Sequence, residues 1–236
     1  MKQLIKSSLL VIAVVIMTAG YAKGQSGKET RNVSDFSEVS FGIAGNLHIR
    51  LGATFSVVLE GDKDYLEIIE TVVKNGKLII RTENHNFFSF NNHRADVYIT
   101  MPSLKGLGVS GSGQATIEDP VKAESLDLNV SGSGKITVND LNATNLNGGI
   151  SGSGDILLKG SGEVQKGDLS ISGSGSFKDD NVKIADLEVR ISGSGNCTCN
   201  VTDNLRASVS GSGNVWYSGS PRLDVRTSGS GHVRSR

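Results

Sequence analysis

Few residues in this chain have the type and spacing to do chemistry. Cys197 and Cys199 are its only cysteines. A metal or redox pair is one reading, but a single Cys-x-Cys lacks a second ligand cluster, and the thioredoxin-type pair has two intervening residues. A disulfide between residues two apart on one strand is strained. The other reading is a pair of small buried apolar side chains. The four histidines, His48, His85, His93 and His232, are scattered. His85 and His93 flank Asn86-Phe87-Phe88-Ser89-Phe90-Asn91-Asn92. His85, Phe87, Phe88, Phe90 and His93 are therefore the candidate recognition loop, a surface that presents aromatics to sugars or protein partners. The competing reading is a long hairpin tip whose phenylalanines fold back onto the protein.

Serine is abundant, and fourteen serines belong to one repeated motif. None has a histidine or lysine at a repeated offset to act as its base, which argues against nucleophilic catalysis. Calcium-binding β-rolls need an aspartate beside the glycines of every coil. Here the residue after the motif is Gln114, Lys135, Asp155, Ser176, Asn196, Asn214 and His232, so a calcium ladder fails. The paired carboxylates Asp179-Asp180, Glu118-Asp119 and Asp62 with Asp64 fall where turns are expected and read as solvated turn residues. The repeat columns show no carboxylate or Arg/Lys cluster of the kind that sugar cleavage requires. Neither a catalytic group nor a cofactor nor a metal site is expected.

The element that must position all of these residues is Ser-Gly-Ser-Gly. It starts at Ser110, Ser131, Ser151, Ser172, Ser192, Ser210 and Ser228, at spacings of 21, 20, 21, 20, 18 and 18 residues. A fixed period of this length signals a stacked-coil architecture. Val109, Val130, Ile150, Ile171, Ile191, Val209 and Thr227 precede the motif, and Ala115, Ile136, Ile156, Phe177, Cys197, Val215 and Val233 follow its last glycine by two. These apolar positions share a parity with the motif glycines. Period-two alternation puts them on one face and the serines on the other. A unit of about 20 residues cannot bury its own apolar face and must stack on its neighbours. A flexible linker has the same composition, but it would not carry Ile and Val in register seven times.

The expected fold is all-β: a right-handed parallel β-helix or β-solenoid of about seven coils, with an N-terminal β-rich cap. A β-sandwich of the same short strands is the alternative. Each coil should advance roughly 4.8 Å, the usual strand spacing.

Ahead of the repeats, residues 1–22 read as an export signal. Lys2 and Lys6 precede an apolar core from Leu9 to Met17, with Gly20-Tyr21-Ala22 as the cleavage site. The apolar run is shorter than the roughly 20 residues needed to span a bilayer. Its removal leaves 22 basic and 24 acidic residues. That balance gives no reason to propose nucleic acid or an anionic membrane surface as a partner. Residues 23–32 are expected to be a disordered leader and 33–104 the cap, which contains a short helix from Asp64 to Glu70 and an Asn75-Gly76 hairpin. Residues 105–236 supply the coils. The closing coil is blunted only by Arg234 and Arg236, so its edge is a candidate for self-association.

These features resemble the bacterial family of auto-transporter adhesin head GIN domains. The matching residues are the Val-Ser-Gly-Ser-Gly series, Gly45-Asn46-Leu47-His48-Ile49, the segment Val57 to Gly61, the Asn75-Gly76 hairpin and Val97-Tyr98-Ile99-Thr100-Met101-Pro102. The resemblance implies an exported β-helical protein without established enzymatic activity, and it brings no functional residues to carry over. No C-terminal run of alternating strands suited to an outer-membrane barrel is present. The function expected is a non-enzymatic surface or envelope binding module with a protein or glycan ligand, located in the periplasm, on the cell surface or outside the cell. A polysaccharide-binding or polysaccharide-processing β-helix is the alternative.

Overall fold

A computed structural model of the chain describes residues 26–82 and 93–236. Residues 1–22, expected to be an export signal, and residues 83–92 lie outside the described residues. From residue 106 onward the chain winds as a parallel β-solenoid of about six turns. Seven coils were the expectation, but the seven motifs are corners, and seven corners bound six complete circuits.

The coil strands run from β8 to β18. First come β8 (Gly106–Gly111), β9 (Gln114–Ile117), β10 (Val121–Gly132), β11 (Lys135–Val138) and β12 (Leu141–Gly152). Then follow β13 (Asp155–Gly173), β14 (Ser176–Gly193), β15 (Asn196–Gly211), β16 (Asn214–Ser218), β17 (Arg222–Gly229) and β18 (His232–Ser235). Equivalent motif positions pair in parallel register, as in Ser131↔Ser151, Ser172↔Ser192 and Ser210↔Ser228. Ile136, Ile156, Phe177, Cys197 and Val215 form one buried ladder. The first serine of each motif faces solvent, as the alternation requires.

The corner explains why the motif needs glycine. Ser153 N donates to Gly132 O at 2.8 Å, Ser174 N to Gly152 O at 2.8 Å, and Ser194 N to Gly173 O at 2.8 Å. The first motif glycine adopts positive φ, +121° at Gly193. A Cβ on Gly193 would lie 2.5 Å from Gly173 O, inside the hydrogen-bond ladder itself. Glycine meets both demands, since it reaches this backbone region without steric cost and has no Cβ to collide.

The N-terminal section does more than cap. It contributes β1 (Ser26–Arg31), β2 (Glu38–Gly42), β3 (Gly45–Leu51), β4 (Ser56–Asp62), α1 (Lys63–Glu67), β5 (Ile69–Lys74), β6 (Lys77–Thr82) and β7 (Ala95–Met101). Strand β2 lies between β6 and β8, and β3 between β7 and β9, all in parallel register. Two further rungs thus extend the solenoid, and the later one in sequence is the outer one in space. The capping is done by antiparallel strands: β5 covers β6, β4 covers β7, and β1 pairs with β4.

Residues 23–32 were expected as a disordered leader, but Ser26–Arg31 forms β1 and Arg31 donates to Leu66 O at 2.8 Å. This polar strand shows little apolar alternation of its own; pairing with the edge of β4 holds it. The helix is shorter than expected because Ile69 opens β5. Asp62 caps it, accepting from Asp64 N at 3.1 Å. The hairpin turn forms as expected, with Asn75 at φ +51° and Gly76 at +74°.

Replacing Gly193 with alanine should cost about 2 kcal/mol or more, from strained φ plus the contact with Gly173 O. Ser192→Ala, on the solvent side of the same corner, should stay within about 0.5 kcal/mol of the parent. Chemical denaturation of both variants checks this, and equal midpoints would refute the role assigned to the corner.

Candidate functional site

Four arrangements have chemical potential. The expected recognition loop is the least informative, because His85, Phe87, Phe88 and Phe90 lie outside the described residues. His93 is described: its ring centroid is 5.8 Å from that of Tyr65, and its Nδ1 is 4.0 Å from Asp62 Oδ2. It therefore sits at the capped end, beside α1.

The serine face is the second. Ser110, Ser131, Ser151 and Ser172 come from successive coils and form a row at strand spacing. Two residues earlier in the chain, the parallel column reads Gly108, Asn129, Gly149 and Ser170. At Gly108 the space above the backbone is open, whereas the Asn129 side chain leans over Gly149, its Oδ1 2.5 Å from where a Cβ would lie. The result is an open groove of about 360 Å³, lined by these serines together with Asn129 and Ser40. None of its lining residues is charged. Its hydrogen-bonding groups are hydroxyl, amide and backbone, set on a floor that is mostly carbon, which suits an extended neutral chain with both polar and apolar faces.

Sequence reasoning missed the third arrangement. His48 on β3 stacks on Tyr98 of β7, with centroids 5.1 Å apart and 14° between planes. His48 Nδ1 lies 3.0 Å from Glu118 Oε1, and Arg50 Nε donates to Glu118 Oε2 at 2.6 Å. Arg50, with His48 adding to it, holds the Glu118 carboxyl below the usual carboxylate range. Tyr98 remains 41% exposed, so the pair presents an aromatic ledge. Its members lie far apart in sequence. The signal that could have found them is the match of Leu47 and Ile49 to the inward columns, which places His48 outward on the same face as Thr116.

Charges form the fourth. The repeat columns were expected to hold no charged cluster, yet Arg190 bridges Asp168 and Glu188 (Nη1 to Asp168 Oδ1, 2.9 Å; Nη2 to Glu188 Oε1, 2.6 Å). Arg206 Nε reaches Asp224 Oδ2 at 3.1 Å on the next coil. Parallel stacking brings side chains about 20 residues apart into lateral contact. The column itself reads Asp168, Glu188, Arg206 and Asp224, with Arg190 reaching in from the neighbouring column to separate the two acids, and each exposed pair contributes about 0–1 kcal/mol.

Inside the solenoid, Cys197 and Cys199 are buried free thiols in the two inward columns expected for them. The hydrogen bond with Cys199 and burial both raise the Cys197 pKa, which opposes thiolate chemistry. Asp179 corrects the reading of Asp179-Asp180 as solvated turn residues. Asp180 is exposed, but Asp179 occupies the inward column of Ile117, Val138 and Leu158 and is 2% exposed. Its carboxylate accepts from Val182 N at 2.8 Å and from Asn200 N at 3.1 Å. Burial outweighs these bonds and raises its pKa to about 6. Among the described residues, no group of three or more His, Cys, Asp or Glu side chains is placed to hold a metal ion.

Taken together, the fold and its surfaces define a β-solenoid with a buried aliphatic interior and a polar exterior of in-register rows. The family model for the putative auto-transporter adhesin, head GIN domain, matches residues 35–221. The chain belongs to that family. Crystal structures share the fold. A putative adhesin from Bacteroides fragilis superposes with a TM-score of 0.79 at 23% identity, covering 90% of this chain and 97% of that one. A putative adhesin from Parabacteroides distasonis gives 0.74 at 24% identity, covering 91% and 98%. A second protein from that organism, described as a putative lipid binding protein, gives 0.74 at 23% identity with the same coverage. No curated protein matches the chain significantly. No helix among the described residues is long and apolar enough to cross a membrane.

Asp179 makes stability depend on pH with a definite sign. The folded-state pKa lies above the unfolded value of 3.8, so the folded state holds the proton more tightly. Stability from this group is complete below pH 3.8 and is lost as pH rises through about 6, by roughly 3 kcal/mol at 1.36 kcal/mol per pKa unit. The melting temperature of Asp179→Asn minus that of the parent should therefore rise between pH 4 and pH 7. A difference independent of pH would show that Asp179 is not the group responsible.

Proposed function

We propose that this protein is an exported, non-enzymatic, adhesin-like module that binds a glycan strand along its serine face. The supporting observation is the uncharged groove over β8, β10, β12 and β13. Hydroxyls there recur from coil to coil at the spacing of the strands. A rigid row of donors and acceptors meets an extended polyhydroxylated chain with little ordering cost on the protein side, which is how preorganisation yields affinity. The adhesin descriptions of the family and of its structural relatives agree with a binding role. Export rests on residues 1–22, and the predicted processed chain starts at Lys23. In this reading the three phenylalanines of residues 83–92 supply a second contact.

A specific observation also keeps a polysaccharide-processing reading in play: the Asp168, Glu188 and Asp224 carboxylates share one face. Each is engaged by an arginine, so the binding reading is preferred.

The test is binding of the purified protein to a panel of bacterial and host glycans, with two variants alongside. Gly108→Gln fills the groove without strain, because the nearest atom to an added Cβ is Val39 O at 4.0 Å. It should weaken binding at least about tenfold, equivalent to about 1.4 kcal/mol, with an unchanged melting temperature. Deletion of residues 86–92 should leave groove binding measurable. Undiminished binding by Gly108→Gln together with loss on deletion would move the site to the loop. Release of new reducing ends from any bound glycan would favour the processing reading.

A further inference from the structure

The two ends of the solenoid differ. At the N-terminal end the outer strands β6 and β7 are covered by antiparallel β5 and β4. At the other end, among the described residues, β17 pairs only with β15, and β18 only with β16. Leu223 and Val225 stand in inward columns whose neighbours Leu205 and Ala207 are 1% and 0% exposed, yet they are themselves 49% and 41% exposed. Strand β17 therefore presents both unpaired backbone groups and uncovered aliphatic side chains, the combination that recruits another strand.

We propose that a second copy of this chain covers that edge, giving a closed two-fold dimer through antiparallel β17–β17 pairing. This does not depend on the glycan reading. The charge order of the strand selects the register. Arg222, Asp224 and Arg226 point outward and Leu223, Val225 and Thr227 inward, as the alternation requires. Pairing centred on Val225 sets Val225 against Val225, Leu223 against Thr227, and Asp224 against Arg226 in both symmetry-related positions. Centring on Asp224 would oppose Asp224 to itself and Arg222 to Arg226, and like charges directly opposite destabilise a strand pair. Centring on Leu223 sets Val225 opposite Pro221, which has no N–H to donate. The Val225 register also uses nearly the whole of β17. Head-to-tail stacking into filaments would set β17 on the outer edge of β5, which pairs only with β6 among the described residues but offers no exposed large aliphatic side chain to match Leu223 and Val225. A two-fold contact that uses one patch on each copy closes at two.

Sedimentation velocity and light scattering over a concentration series test the proposal on the purified protein. The expected result is a monomer–dimer equilibrium that stops at two. Val225→Lys, at a position already exposed in the single chain, should shift the mass to the monomer while keeping the melting curve of a folded monomer. Asp224→Arg should raise the dissociation constant about tenfold or more, and adding Arg226→Asp should bring it back, as expected when charge complementarity sets the register. A protein monomeric up to about 200 μM, far above the range of a specific dimer, would overturn the proposal. So would a dimer indifferent to Val225→Lys, a series growing past two copies, or a double charge variant no better than Asp224→Arg alone.

Discussion

The solenoid depends on one repeated contact, the hydrogen bond from a motif serine N–H to the first motif glycine's carbonyl on the preceding coil. It recurs from Ser133 to Ser230 at 2.8 to 2.9 Å. That bond fixes where each coil turns, and turning at the same point on every circuit keeps all the flanking columns in register. A corner that slipped by one residue would send the aliphatic positions to solvent and the serines to the core, because strand faces alternate with period two. The glycines follow from this constraint, since the carbonyl accepting the bond occupies the space a Cβ would need.

A fixed register separates the inside from the outside. The interior is a set of aliphatic ladders, and it admits variation only of a kind that still fits the column. Cys197 and Cys199 fit as small apolar side chains. Asp179 fits because it satisfies two backbone N–H groups next to the irregular register between β14 and β15. Its raised pKa is the electrostatic mark of a carboxyl in an aliphatic position. The outside is free to vary, and the variation lies in rows: hydroxyls along one column, glycine and asparagine beside it, acids and arginines along another. Binding surfaces on such a scaffold arise from side chains about one circuit apart in sequence.

The ends solve the edge problem in different ways. At the N-terminal end the chain leaves the stack after β3, doubles back through β4, α1 and β5, and lays antiparallel strands over the outermost rung. The polar strand β1 then closes over β4. At the C-terminal end, among the described residues, the columns continue to the last rung with their inward residues uncovered. The described molecule thus has one end laid over by antiparallel strands and one whose last rung is left bare.

Much of this was legible in the amino-acid sequence. The period of Ser-Gly-Ser-Gly, the parity of Val109, Val130 and Ile150, and the Asn75-Gly76 turn specify the coils, their inward columns and a hairpin, because these are local backbone and alternation requirements. The serine row was legible for the same reason. Three features were decided only by tertiary structure. The insertion of β2 and β3 between later strands, with the His48–Tyr98–Glu118 cluster it assembles, depends on pairing between segments far apart in sequence. Order in Ser26–Arg31 comes from the edge it joins, since its own residues carry little apolar pattern. The burial of Asp179 depends on column membership, which its acidic side chain and its place beside Asp180 conceal. Local repetition dictates how the chain coils, while non-local pairing decides what lies next to what on the finished surface.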